Sequence, residues 1–160
     1  VETWQEIIKL QQDGLIKSIG VSNFQIEHLE ELKKQTSVVP AVNQVELHPY
    51  FQQPELREYC NQHGIQVESW SPIGGSKGDV LENDEIINIA HSHAKSPAQI
   101  VIRWHLQNGL VVIPKSTNEG RIRENFDVFD FELSADEMST INSLQKGTRF
   151  GADPDTMNNS

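Results

Sequence analysis

The stretch VVIPKSTNEGRIREN, residues 111–125, runs from an apolar segment ending at Pro114 straight into Lys115, Ser116, Thr117, Asn118, Arg121, Arg123 and Asn125. Cations, hydroxyls and amides at this density form the donor set that holds a phosphate. Lysine supplies a compact charge, arginine a two-pronged donor, and the hydroxyls further hydrogen bonds. The cluster stands out because the chain carries 23 acidic against 13 basic side chains. A solvated patch of surface charge is the plain alternative.

The elements around this cluster decide what else can reach a ligand. Apolar runs at 16–21, 41–47, 65–70 and 110–114 read as strands. Helical spacing fills the gaps: 3–13 with a Thr3–Glu6 capping box, 25–35, 54–63, 85–94, 96–108, a short helix near 119–126, and 134–145. Ser96 with Gln99 and Ser134 with Glu137 repeat the capping-box pattern. Strands alternating with helices predict an α/β fold with a parallel sheet covered by helices, as one domain over residues 1–160. The end of the chain, from Gly147, has no periodicity and reads as a tail.

Parallel α/β folds bind ligands at the carboxyl ends of their strands. Those ends carry Ser22 and Asn23; Gln44, Glu46 and His48; Glu68, Trp70 and Ser71; and Lys115, Ser116 and Asn118. Asn and Gln each offer a donor and an acceptor, which suits a primary carboxamide. Trp70 offers a flat face to a planar ring. The loop SPIGGSKG, residues 71–78, offers small residues and backbone N–H groups to a pyrophosphate. Lys115, Ser116 and Arg121 suit a terminal phosphate. Carboxamide, flat ring, pyrophosphate and extra phosphate together describe NADPH. Each residue also has a plain structural use: Asn23 as a helix cap, Gln44 as a buried hydrogen-bonding group, Trp70 as core. There is no G-x-G-x-x-G and no Walker A motif, so the Rossmann and P-loop solutions are not supported.

Other polar groups read as structural. His91 and His93 do not share a helix face, and His105 beside Trp104 reads as satisfied in packing. Glu46, His48 and Tyr50 share one strand end and could form an acid/base set, but a polar ring closing the mouth of a barrel fits them better. Cys60 lies on a crossover helix and is a poor nucleophile candidate. It is the single cysteine, so no internal disulfide forms and a cytoplasmic setting is expected. The net charge of −10 argues against a nucleic-acid partner, and no apolar run has the length of a membrane span. No metal site is expected.

IGVSNF (19–24), NQVELHPY (43–50), ESWSPIG (68–74), SPAQIVIRWHLQNG (96–109) and VVIPKS with RIRENFDVFDFELS (111–134) closely resemble the aldo-keto reductases, nearest to bacterial members of the diketogluconate reductase type. The resemblance runs over essentially the whole chain. It implies a parallel (β/α) TIM barrel that reduces aldehydes and ketones with NADPH. By resemblance Ser22, Asn23 and Gln44 hold the nicotinamide carboxamide, and Trp70 stacks on the ring. Ser71, Ile73 and Gly74 follow the pyrophosphate. Lys115, Ser116, Asn118 and Arg121 take the 2′-phosphate, and Glu124 and Asn125 contact the adenine. Asn118 departs from the Thr or Arg common at its position, which bears on the preference for NADPH over NADH.

A TIM barrel needs about 250 residues and eight strands, and the four strands here match the second half of the family. The Asp, Tyr, Lys and His that move the proton in the family come from its first half, so no catalytic residue is assigned. The expectation is a cofactor-binding half of a carbonyl reductase, either paired with a missing N-terminal half or self-associated. A non-catalytic nucleotide-binding half-barrel is the alternative.

Overall fold

The computed structural model describes residues 2–75 and 78–156. Its elements are α1 (Glu2–Gln12), β1 (Gly20–Ser22), α2 (Ile26–Gln35), β2 (Val42–Glu46), α3 (Pro54–Gln62), β3 (Gln66–Trp70), a 3₁₀ turn at Val80–Glu82, α4 (Asp84–His93), α5 (Pro97–Gln107), β4 (Val111–Val112), α6 (Glu119–Phe126) and α7 (Ala135–Asn142). The strands form a parallel four-stranded sheet in the order β1-β2-β3-β4. β1 and β2 pair with Gly20 opposite Val42 and Ser22 opposite Gln44. Sequential order with helical crossovers is the pattern of (β/α) units.

Two compact units are present: Val1–Val45 with Pro54–Glu68, and Glu46–Gln53 with Ser69–Ser160. In the first, Trp4, Ile19 and Leu32 form a buried cluster, flanked by Ile7, Ile8, Ile16, Val21, Phe24 and Val38. In the second, Val80, Ile86, Ile100, Val101, Trp104 and Ile141 are fully buried. Helix α5 is the centre of this unit. Ser96 accepts from Gln99 N while Gln99 Oε1 accepts from Ser96 N, closing the expected capping box, and Pro97 opens the helix. Trp104 Nε1 donates to Asn142 Oδ1 at 2.8 Å, so the indole is buried without losing its hydrogen bond.

Three expectations are corrected. Helix α1 already includes Glu2, so Thr3 lies inside its first turn and is not its cap. The first and last strands are shorter than the apolar runs suggested: Ile16 and Ile19 are apolar because they pack in the first unit's cluster before the strand begins. β4 is limited to Val111–Val112, the last strand in the order, with Ile113 N donating to Ser69 O.

Truncating the buried Ile100 to Ala should cost roughly 2–5 kcal/mol through lost burial and a residual cavity. Leu15→Ser, at a residue that is 74% exposed, should cost less than about 0.5 kcal/mol. Urea unfolding of both variants reads the contrast.

Candidate functional site

In the first unit the end of β1 is fixed by the backbone of its neighbour. Ser22 Oγ donates to Gln44 O at 3.1 Å, and Asn23 N donates to the same carbonyl at 2.8 Å. Asn23 sits in the left-handed region at φ 60°, a conformation Asn tolerates better than most side chains. Asn43, fully buried, holds the next residue from both sides: its Nδ2 donates to Phe24 O and its Oδ1 accepts from Phe24 N. Gln44 Nε2 donates to Glu68 Oε1 at 2.5 Å, which fixes the plane of the Gln44 amide. The structure therefore places Ser22, Asn23 and Gln44 together. Asn43, which the sequence reading did not single out, is the residue that locks the loop carrying Asn23.

In the second unit β3 ends at Trp70, followed by Ser71 at φ 48° and a turn in which Gly74 N donates to Ser71 O at 2.9 Å. Gly74 has φ 83°, and a Cβ there would meet Val80 Cγ2 at 2.7 Å, so only glycine fits. Its N–H is spent in the turn; what Gly74 offers a ligand is close approach rather than a donor. Ser76 and Lys77, the rest of the expected pyrophosphate loop, lie outside the described residues.

After β4, Asn118 caps α6: its Oδ1 accepts from Arg121 N at 3.0 Å, and Ser116 Oγ accepts from Asn118 N at 3.1 Å. The turn is thereby held, and Asn118 keeps its Nδ2 amide as the group it can present to a ligand. Lys115 and Arg121 are exposed, and among the described residues neither pairs with a carboxylate. Arg123, by contrast, is bound to Glu119 at 2.8 Å within its own helix. Glu124 and Asn125 are half-buried on α6.

The remaining polar candidates are structural. Tyr50 is buried; its hydroxyl accepts from Asn83 Nδ2 at 3.1 Å, and Lys146 Nζ lies 3.6 Å from its ring centre. Tyr59 donates to Glu30 at 2.6 Å; burial first, then that carboxylate, pushes the phenol up to about 12, out of range for a proton donor at neutral pH. Burial raises the Cys60 thiol, against a smaller opposing hydrogen bond from Asn43, so it is not an activated nucleophile. His105 lies 2.8 Å from Val101 O and 3.2 Å from Leu47 O, inside the packing. His93 pairs with Glu137 at 2.9 Å. No helix among the described residues is long and apolar enough to cross a membrane.

The profile of the aldo/keto reductase family matches residues 1–146. The chain belongs to the aldo/keto reductase family. It is 52% identical to glyoxal reductase of Bacillus subtilis over 98% of this chain and 56% of that protein. It is 55% identical to a methylglyoxal reductase of Escherichia coli over 97% of this chain and 56% of that protein. Among solved structures, a mutant of Gox0644 in complex with NADPH superposes with a TM-score of 0.93 at 56% identity, covering 97% of this chain and 57% of that one. The aldose reductase of Schistosoma japonicum matches with a TM-score of 0.88 at 40% identity, over 93% and 48%. This aldo/keto reductase chain thus spans about half the length of the curated relatives it matches.

One titrating group in the second unit gives a test of the fold. His48 is fully buried, and burial holds its pKa below the usual 6.5, against a smaller opposing pull from Glu46. Its folded pKa lies below the unfolded value, so its contribution is fully present above the unfolded value and is lost as pH falls toward the folded one. Stability should therefore decline as pH falls below about 6.5, with a slope of at most about 1.4 kcal/mol per pH unit. Urea unfolding of His48→Gln over the same range should show a flatter profile.

Proposed function

We propose that this chain is the cofactor-holding portion of an NADPH-dependent aldehyde or ketone reductase, with the proton-transfer groups supplied by sequence outside its 160 residues. The carrying observation is the turn after β4. Lys115 and Arg121 are unpaired with any described carboxylate, and a helix begins there, in a chain of net charge −10. Unpaired cations beside a capped helix N-terminus are the chemistry of a phosphate site, and the 2′-phosphate is the group that separates NADPH from NADH. The complex of Gox0644 with NADPH, at 56% identity, supports the same reading.

Ser22, Asn23 and Gln44 would hold the carboxamide, Trp70 the nicotinamide face, and Ser71, Ile73 and Gly74 the pyrophosphate segment. Lys115, Ser116, Asn118 and Arg121 would hold the 2′-phosphate, with Glu124 and Asn125 at the adenine. The residues present fit the group: a side-chain amide with its plane fixed, a glycine that admits close approach, and unpaired cations. When bound, the reduced nicotinamide supplies hydride to a carbonyl carbon. The groups of this chain bind and orient. Neither Tyr50 nor Tyr59 is placed to give the matching proton, since one is packed under Lys146 and the other is tied to Glu30. The names of the Bacillus and Escherichia relatives support a small aldehyde such as methylglyoxal as substrate of the complete protein.

A specific surface supports completion by further protein. Val111, Ile122, Phe126 and Phe129 are exposed, the last two at 76% and 71%, and they line a groove of about 360 Å³ along β4 and α6. An apolar strand edge of this kind is usually covered. Pairing with an N-terminal half is the favoured reading. A second copy, which would make a non-catalytic nucleotide-binding dimer, is the alternative, and sedimentation of the purified chain at twice 18.1 kDa would favour it.

Arg121→Ala should weaken NADPH binding by roughly one to two orders of magnitude, the scale of a lost charge-assisted pair, and leave NADH binding almost unchanged. Calorimetry with both nucleotides measures this. Equal weakening would remove Arg121 from the 2′-phosphate.

A further inference from the structure

The second unit contains a buried carboxylate that the cofactor reading does not use. Glu46 is fully buried at the end of β2. Its Oε1 accepts from Phe150 N at 2.6 Å and Gly151 N at 3.1 Å, and its Oε2 accepts from Gly151 N at 3.0 Å. His48 Nε2 lies 3.1 Å from Oε1 and Arg149 Nη1 lies 3.6 Å from Oε2. A carboxylate out of water demands such donors. Here most of them come from the backbone of one short segment more than 100 residues away in sequence.

That segment packs against Trp70, assigned to the nicotinamide face, and beside Gly74, assigned to the pyrophosphate segment. The Phe150 ring stacks on His48 at 4.5 Å and meets Tyr50 edge-on at 6.3 Å. It fills space beside two glycines of the loop after β3: a Cβ on Gly74 would come 3.4 Å from the ring, and one on Gly78 would overlap it. Gly151 lies against Trp70 and the anchor together, where a Cβ would overlap the indole and sit 2.9 Å from Glu46 Oε2. The Arg149 guanidinium is 4.6 Å from the Phe51 ring centre.

We infer that Glu46 is a positioning residue: it clamps the segment Arg149–Gly151 so that Gly151 braces Trp70 and Phe150 braces the glycine-rich loop. The nicotinamide end of the site is then shaped from the far end of the chain, while the phosphate end at Lys115 and Arg121 is held separately by Asn118. The inference rests on the cofactor reading for its functional part and on geometry alone for its structural part.

Hydrogen exchange and calorimetry on the full chain test both. Glu46→Gln should speed amide exchange at residues 149–151 and in Ser71–Gly75 by about tenfold or more, with α5 exchange unchanged. The same variant should raise the NADPH dissociation constant about tenfold and leave that of adenosine 2′,5′-bisphosphate, which reaches only the phosphate end, as in the native chain. Gly151→Ala keeps the carboxylate but pushes the segment off Trp70, and should give the same split between the two ligands. Unchanged exchange in Ser71–Gly75 with a loosened tail would overturn the brace, as would equal weakening of both ligands. If Glu46→Gln also loosens α5, Gly151→Ala decides. If the native chain binds neither ligand, the cofactor reading fails, and the exchange pattern still decides the clamp.

Discussion

A charged group cut off from water has to find its donors within the protein, and at Glu46 that requirement organises much of the second unit. The carboxylate stands at the end of β2, next to residues that are almost all buried, so the donors must be brought to it. His48 comes from two residues along the same chain. Phe150 and Gly151 come from the tail, and they supply backbone N–H groups that would themselves need partners if buried. Gln53 donates to Glu46 O at 2.6 Å and closes the turn that follows the strand. An otherwise patternless tail is thereby given one place to lie.

The first unit solves a related problem with amides instead of charge. The loop after β1 has to leave the sheet at Ser22 and enter α2 only a few residues later. Asn43 replaces a lost ladder partner by bonding both the N–H and the C=O of Phe24. Gln44 is then oriented by Glu68, and its own carbonyl receives Ser22 Oγ and Asn23 N. The Gln44 amide that sequence reasoning assigned to a ligand is thus held by the protein itself, which is what a recognition site needs.

Much of this was legible in the chain. The Ser96–Gln99 and Ser134–Glu137 boxes are local chemistry, and local chemistry is readable. The short helix read near 119–126 is α6, although its Asn118 cap was not read from the sequence. Strand centres were readable and strand ends were not, because Ile16 and Ile19 serve a core cluster with the same residue types that serve a strand. Thr3 fits a capping-box pattern, yet the helix begins before it, so the pattern alone did not fix the boundary. The Glu46 clamp left no sequence signal, because its partners are backbone N–H groups at a separation of 104 and 105 residues. A glycine beside an aromatic in a tail is the only trace of it, and Gly151 acquires meaning only when Trp70 is seen against it.

The proposed role requires that this chain hold NADPH without itself completing the reduction. The most direct measurement is to saturate the purified chain with NADPH, confirm binding by calorimetry, add a small aldehyde, and follow the nicotinamide absorbance. Saturable binding is expected, with no consumption of NADPH above the rate without protein. Steady consumption would contradict it by placing a proton donor within these residues, and absence of binding would contradict it by removing the cofactor.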